Sequence, residues 1–269
     1  MEIVWKFQNP KSYGVITAMT IDKMNTWLLV GTMSGILTLY DLRFQIPLKS
    51  WLHPSKSRIS VLLLNQDPRA EDRQVIIGSG KNEVSVWDIV SLQCTEVFAV
   101  KSGDEKMTGV ILESYKSLEA PSNKEILVNS FTSNDSVSTE NSIRAIAAPS
   151  DCRFMITGGS DRKIRFWDTT RIENSVIVLG SELDEPKARY STNTIGNMKF
   201  HFEFNRNSNI GGSSRNNSMT NMNALANSVA QQQYLMRNHI DAITDIILTE
   251  SPYPMIISGD RDGVIKVLA

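Results

Sequence analysis

The chain is short of the features that announce most chemistries. Its 269 residues hold two cysteines, Cys94 and Cys152, which make no disulfide framework. Both are read as packing residues in a reducing compartment. A net charge of -1 leaves no basic stripe for nucleic acid. No apolar run approaches the roughly 18–20 residues needed to cross a bilayer. The start, Met1-Glu2-Ile3-Val4-Trp5-Lys6, lacks the basic region and small-residue cleavage site of a secretory signal. His53, His201 and His239 lie far apart, with no Cys or carboxylate cluster at ligand spacing, so no metal is expected. Gly78-Ser79-Gly80-Lys81 fails as a phosphate loop, because Val75 stands where the first glycine is required and Asn82 follows the lysine. Neither a G-x-S-x-G elbow nor an H-E-x-x-H helix is present. The chain is therefore read as non-catalytic, with no cofactor and no nucleic-acid partner.

What is present is a repeat. Four segments align without gaps on Gly31, Gly78, Gly158 and Gly259. Nine positions after the glycine stand Tyr40, Trp87, Trp167 and Leu268, and the first three are followed by Asp41, Asp88 and Asp168. Before each glycine lies a short apolar run such as Val75-Ile76-Ile77, which suits a buried strand. After it, Ile164-Arg165-Phe166-Trp167 alternates with the period of two of a half-buried strand. The glycine and the polar residues after it are read as the turn between the two. Further strands are expected before each pair, at 15–21, 59–64, 143–148 and 243–248. Others follow the first three pairs, at 48–52, 94–99 and 175–179.

Four strands per unit with Trp-Asp at the third is the pattern of a propeller blade. The stretches TGGSDRKIRFWD (157–168) and SGDRDGVIKV (258–267) resemble the WD-repeat consensus. The expected fold is all-β, a WD-repeat β-propeller with blades near 13–52, 58–99, 143–179 and 239–268. A single blade cannot bury both faces, so blades must stack. WD-repeat rings most often close at seven, and the four blades are read as the C-terminal part of such a ring. On that reading Ile3-Val4-Trp5-Lys6-Phe7 is a strand finishing a preceding blade; the other reading has it close the last blade.

The resemblance implies a bracing set in each blade: a His, a Ser or Thr, an Asp in the turn and the Trp. No blade looks complete. The last has His239, Ser258 and Asp262, with Leu268 in place of Trp. The third has Thr157, Asp161 and Trp167 without a His. The second has Trp87 and His53, but Lys81 replaces the Asp and Ile77 the Ser or Thr. The first keeps only Tyr40. All of these are read as structural, with His239 beside Asp262 as a bracing pair.

The glycine anchors also locate two insertions. Gly31 and Gly78 are 47 apart, near a WD repeat's roughly 40–45, but the next intervals are 80 and 101. The excess falls at 101–141 and 181–238. The first carries apolar islands, Met107–Leu112 and Ile126–Val128, that suit strands of a degenerate extra blade. In the second, 205–223 is rich in Asn, Ser and Gly and too polar to fold alone, 198–204 alternates like a strand, and 225–236 suits a short helix. The second insertion is either a partner-binding loop or an idle one.

At finer grain, the blade at 157–168, the long insertion after it, and the final HIDAITDIIL and SGDRDGVIKV repeat resemble one WD-repeat family. These are the vacuolar-protein-sorting serine/threonine kinases, regulatory subunits of class III phosphatidylinositol 3-kinase complexes, and the Asn-rich insertion is similar to that of fungal members. That resemblance implies a propeller that docks the lipid-kinase catalytic subunit and coiled-coil subunits. It implies a cytoplasmic site, peripheral on endosomal, Golgi or vacuolar membranes, with indirect membrane contact, in vacuolar sorting and autophagy. None of the family's kinase motifs are in this chain. The alternatives are a phosphoinositide-binding propeller, whose Phe-Arg-Arg-Gly motif is missing, and a WD-repeat adaptor of an unrelated complex.

Overall fold

A computed structural model describes residues 5–67, 70, 73–80, 82–102, 115, 141–181, 187–205 and 232–269. Within them the chain folds into four sheets. Blade 1 is β1 (Ile16–Ile21), β2 (Trp27–Thr32), β3 (Ile36–Asp41) and β4 (Ile46–Leu52), paired antiparallel in chain order. Blade 2 is built the same way from β5 (Ile59–Leu64), β6 (Gln74–Ser79), β7 (Glu83–Asp88) and β8 (Gln93–Ser102). Blade 3 is β9 (Ile143–Ala147), β10 (Phe154–Gly159), β11 (Ile164–Asp168) and β12 (Val176–Leu179). Blade 4 has three strands, β15 (Ile243–Thr249), β16 (Met255–Asp260) and β17 (Ile265–Leu268).

The second strand of blades 2 and 3 is covered on both faces by neighbouring sheets, which is why it reads as an apolar run. The third strand alternates in sequence yet is buried almost throughout in blades 1 and 2. β3 is buried at every position, and β6 at all but its first. Three apolar clusters fill the seams. The first joins Leu29, Leu37 and Leu39 of blade 1 to Ile59, Ile77 and Trp87 of blade 2. The second joins Ile76, Val84 and Phe98 of blade 2 to Ile143, Ile146 and Trp167 of blade 3. The third joins Ile156, Ile164 and Leu179 of blade 3 to Ile243 and Ile246 of blade 4.

The repeated glycine does not make the turn. It lies inside the second strand, and its reason is the neighbouring blade. A Cβ on Gly31 would sit 2.5 Å from Ile59 Cγ2, and one on Gly158 would sit 2.7 Å from Ile246 Cδ1. The turn is made four residues later, where Gly35 (φ 78°), Asn82 (φ 52°), Arg162 (φ 63°) and Gly263 (φ 84°) all take the left-handed conformation.

Two further expectations change. Trp5–Phe7 is not in a strand, and residues 1–4 lie outside the described set. The islands Met107–Leu112 and Ile126–Val128 also lie outside it; among the described residues, blades 2 and 3 pack directly on each other. The second insertion holds a hairpin, β13 (Arg189–Ile195) and β14 (Met198–Asn205), joined to blade 2. β14 runs parallel to β8, from Lys199 opposite Glu96 to Asn205 opposite Ser102, making a six-stranded sheet. Residues 232–237 are helical; 225–231 of the expected helix lie outside the described set.

Candidate functional site

The chemistry of this chain is bracing and presentation. Alternating strand direction puts the β2–β3, β6–β7 and β10–β11 turns at one end of the blades, and the exits from β8 and β12 at that same end. Both long insertions therefore leave from one face. The hydrogen bond from Asn82 N to Asn141 O, 2.7 Å, ties the end of the first insertion to a turn of that face.

Beneath it lie the bracing sets. In blade 2, His53 Nε2 is 2.8 Å from Ser85 Oγ, and Trp87 Nε1 donates to the same hydroxyl at 2.9 Å. The Ser or Thr that seemed lost at Ile77 is supplied by Ser85, directly opposite Ile77 on the neighbouring strand. Cross-strand neighbours share a face, so either can carry the hydroxyl. Ser55 Oγ, 2.7 Å from His53 Nδ1, stands in for the missing carboxylate. Burial pushes the His53 imidazole down to about 3, so it is neutral. Tyr115 of the first insertion is buried here too and donates its hydroxyl to Glu83.

In blade 3, Trp167 Nε1 donates to Thr157 Oγ1 at 2.9 Å. Asp161 meets no histidine. It lies 2.7 Å from Arg165 Nη2 and accepts from Asn82 Nδ2 at 3.0 Å. In blade 4, His239 Nε2 is 2.7 Å from Ser258 Oγ, but its Nδ1 pairs with Asp260, 2.9 Å, and not with Asp262. Asp260 ends the second strand and is buried. Asp262, two residues on, is at the turn and exposed. A carboxylate at the strand end reaches the histidine under the turn; one at the tip does not. Burial works against the Asp260 carboxylate, yet the His239 hydrogen bond and a backbone N–H hold its pKa below the usual range.

In blade 1, the Tyr40 ring packs on Phe7, with centroids 4.7 Å apart, and its hydroxyl donates to Asn9. The aspartates after the aromatic position share one task that the sequence did not disclose. Asp41 accepts from the backbone N of Arg43 (2.8 Å) and Phe44 (3.2 Å). Asp88 does the same for Val90 and Ser91 at 2.8 and 2.9 Å, and Asp168 for Thr170 and Arg171 at 2.9 and 2.8 Å. Each closes the turn into the fourth strand. No cluster of three or more metal-binding side chains stands among the described residues.

The sheets, seams and bracing sets define a WD-repeat β-propeller domain. A family model, WD domain, G-beta repeat, matches residues 127–168. Along nearly its whole length the chain is similar to proteins called VPS15. It is 28% identical to the putative serine/threonine-protein kinase VPS15 of Komagataella pastoris, over 99% of this chain and 19% of that protein. It is 26% identical to the serine/threonine-protein kinase VPS15 of Arabidopsis thaliana, over 98% of this chain and 18% of that one. The probable serine/threonine-protein kinase vps15 of Dictyostelium discoideum is 25% identical over 96% of this chain and 18% of its own length. The chain spans about a fifth of these relatives. The kinase activity in their names is said of whole proteins; the fifth aligned here is a WD-repeat fold.

Proposed function

We propose that the chain is the non-catalytic, partner-binding propeller of a VPS15-type regulatory subunit. It would serve a class III phosphatidylinositol 3-kinase complex in vacuolar sorting and autophagy. Its partners on this reading are the lipid-kinase catalytic subunit and coiled-coil subunits. It acts on the cytoplasmic side, peripheral on endosomal, Golgi or vacuolar membranes and in contact with them only indirectly. The similarity to VPS15 proteins over nearly the whole chain carries the reading. Two insertions leaving one rigid face support it, since loops held on a fixed scaffold are where binding concentrates.

Within this reading the four blades are part of a larger ring. Ile59, Ile143 and Ile243, the first residues of β5, β9 and β15, are at most 2% exposed, whereas Ile16 of β1 is 46% exposed. At the other end, a Cβ on Gly259 would meet nothing closer than Thr244 Oγ1 at 4.0 Å. Thr17 and Ser60 each donate to the carbonyl of their own blade's glycine and to one in the next blade. Thr244 reaches its own Gly259 O, 3.1 Å. Phe7, though outside any strand, covers Tyr40 as Trp51 covers Trp87 and Phe98 covers Trp167, the place held at those two seams by the outer strand of the preceding blade.

The test is copurification from cells with identification by mass spectrometry. The intact chain is compared with one in which 206–231 are replaced by a Gly/Ser linker of equal length. The intact chain is expected to recover a lipid kinase together with a coiled-coil protein; recovery of neither sinks the reading. Loss with the linker assigns binding to the insertion, and retention assigns it to the blades.

A further inference from the structure

The hairpin β13–β14 follows blade 3 in the chain but sits on the rim of blade 2. Its faces differ. Phe200 and Phe202, both 0% exposed, enter the seam between blades 1 and 2, where Phe200 meets Tyr115 edge-on at 6.0 Å. Glu203 and its cross-strand neighbour Tyr190 face blade 3. The Tyr190 ring meets Trp167 edge-on at 5.7 Å, and its hydroxyl donates to Glu203 Oε2 at 3.2 Å. Arg165 of β11 reaches across from blade 3 and donates Nε to the same carboxylate oxygen at 3.0 Å. Its Nη2 is held by Asp161 at 2.7 Å.

All of this is dry. The Arg165 side chain is 2% exposed and the Glu203 side chain 0%. Burial opposes the charge on the guanidinium, but Glu203 and then Asp161 more than offset it, so its pKa is raised. Burial and the Glu203 charge both raise the Tyr190 phenol, keeping it a donor. A shifted position would leave each charge buried without its partner, which favours a single docked register. An idle surface loop has no call for a buried ion pair or for two fully buried phenylalanines.

We propose that the hairpin is a strap that locks blades 2 and 3 into one unit, with Arg165–Glu203 as its catch. The chain leaving blade 3 is laced to the rim of blade 2 before it goes on to blade 4. The strap occupies the β8 edge and moves the outer edge of the sheet to β13. It also fixes where the insertions begin: Ser102 and Asn205 are paired neighbours on parallel strands, so 103–140 and 206–231 start side by side. This inference does not depend on which partner the chain binds.

The experiment is hydrogen–deuterium exchange on the whole chain. Glu203→Gln and Arg165→Met are compared with the double variant Arg165→Met/Glu203→Leu. Either single change should speed exchange of 93–102 and 189–205 by about 100-fold, while blades 1 and 4 change less than about threefold. The double, which removes both charges and keeps apolar bulk, should recover most of the protection. Unchanged exchange in the strap, or equal loosening of all four blades, overturns the proposal. So does a double variant as loose as the singles. Should the single variants fail to fold, Tyr190→Phe decides, because it removes only a hydroxyl. Faster exchange confined to the strap supports the catch, and no change refutes it.

Discussion

The four repeat glycines make an internally controlled experiment. Gly31→Ala, Gly78→Ala and Gly158→Ala place the same methyl group at equivalent positions, against different neighbours. At Gly31 the methyl lands 2.5 Å from Ile59 Cγ2 and 2.8 Å from its Cβ. At Gly158 it lands 2.7 and 2.8 Å from Ile246 Cδ1 and Ile243 Cγ2. At Gly78 the nearest atoms are two methyl carbons at 3.0 Å, which have more room to give. Overpacking of a close-packed seam costs about 1–3 kcal/mol. Against this, replacing glycine in a strand gains about 0.4–1 kcal/mol by restricting the unfolded chain. The net loss is about 1–2 kcal/mol at Gly31 and Gly158, and less at Gly78. That is a fall of roughly 2–8 °C in Tm for a chain of this size. Gly259→Ala meets only Thr244 Oγ1, at an unstrained 4.0 Å, and should be neutral or slightly stabilising. Thermal unfolding followed by circular dichroism reads all four. Equal destabilisation by Gly259→Ala would refute the reasoning, because the glycines would then serve their own strands and not the next blade. In a longer protein whose ring closes on blade 4, Gly259→Ala becomes as costly as Gly158→Ala.

Other expectations concern the bracing sets. Ser85→Ala leaves a buried indole N–H and a buried imidazole without their shared partner, and should cost about 2–4 kcal/mol in urea unfolding. Ile77→Ala, opposite it, removes apolar packing alone and should leave the tryptophan fluorescence maximum where it is. Asp260→Asn should destabilise blade 4, while Asp262→Asn should leave Tm within about 1 °C; the reverse order would restore Asp262 as the partner of His239. Acid should weaken the fold through its histidines. His53 and His201 are held at about 3 and about 4 when folded, in both cases mainly by burial. Between those values and about 6.5 the unfolded chain binds more protons, so stability is full above pH 6.5 and falls as pH drops, by up to about 1.4 kcal/mol per unit for each group. Urea midpoints measured from pH 7 to 4.5 check this. His53→Gln should flatten the slope, and an unchanged slope would place the protonation elsewhere.

Local order was legible in the sequence because it is written in periods. Apolar runs and alternations along the chain placed sixteen of the seventeen strands among the described residues, all but Arg189–Ile195, though not their exact ends. The Trp167–Thr157 pair followed from repeat position, because both lie on adjacent strands of one hairpin. What sequence could not carry was anything decided between blades. The glycine looked like a turn residue, since its cause, an isoleucine of the next blade, lies 28 residues away for Gly31 and 88 for Gly158. Ser85 was overlooked because the repeat places the hydroxyl on the other strand, whereas packing asks only that it be on the same face. Asp262 was preferred to Asp260 by alignment, but the depth of a carboxylate below a turn is a three-dimensional quantity. The strap was the largest omission. The alternation of Met198–Phe204 marked a strand, yet nothing local says that it runs back to β8, past a whole blade, in parallel. Tertiary packing made that choice, by offering Phe200, Phe202 and Glu203 a rim where two rings and a carboxylate are buried together.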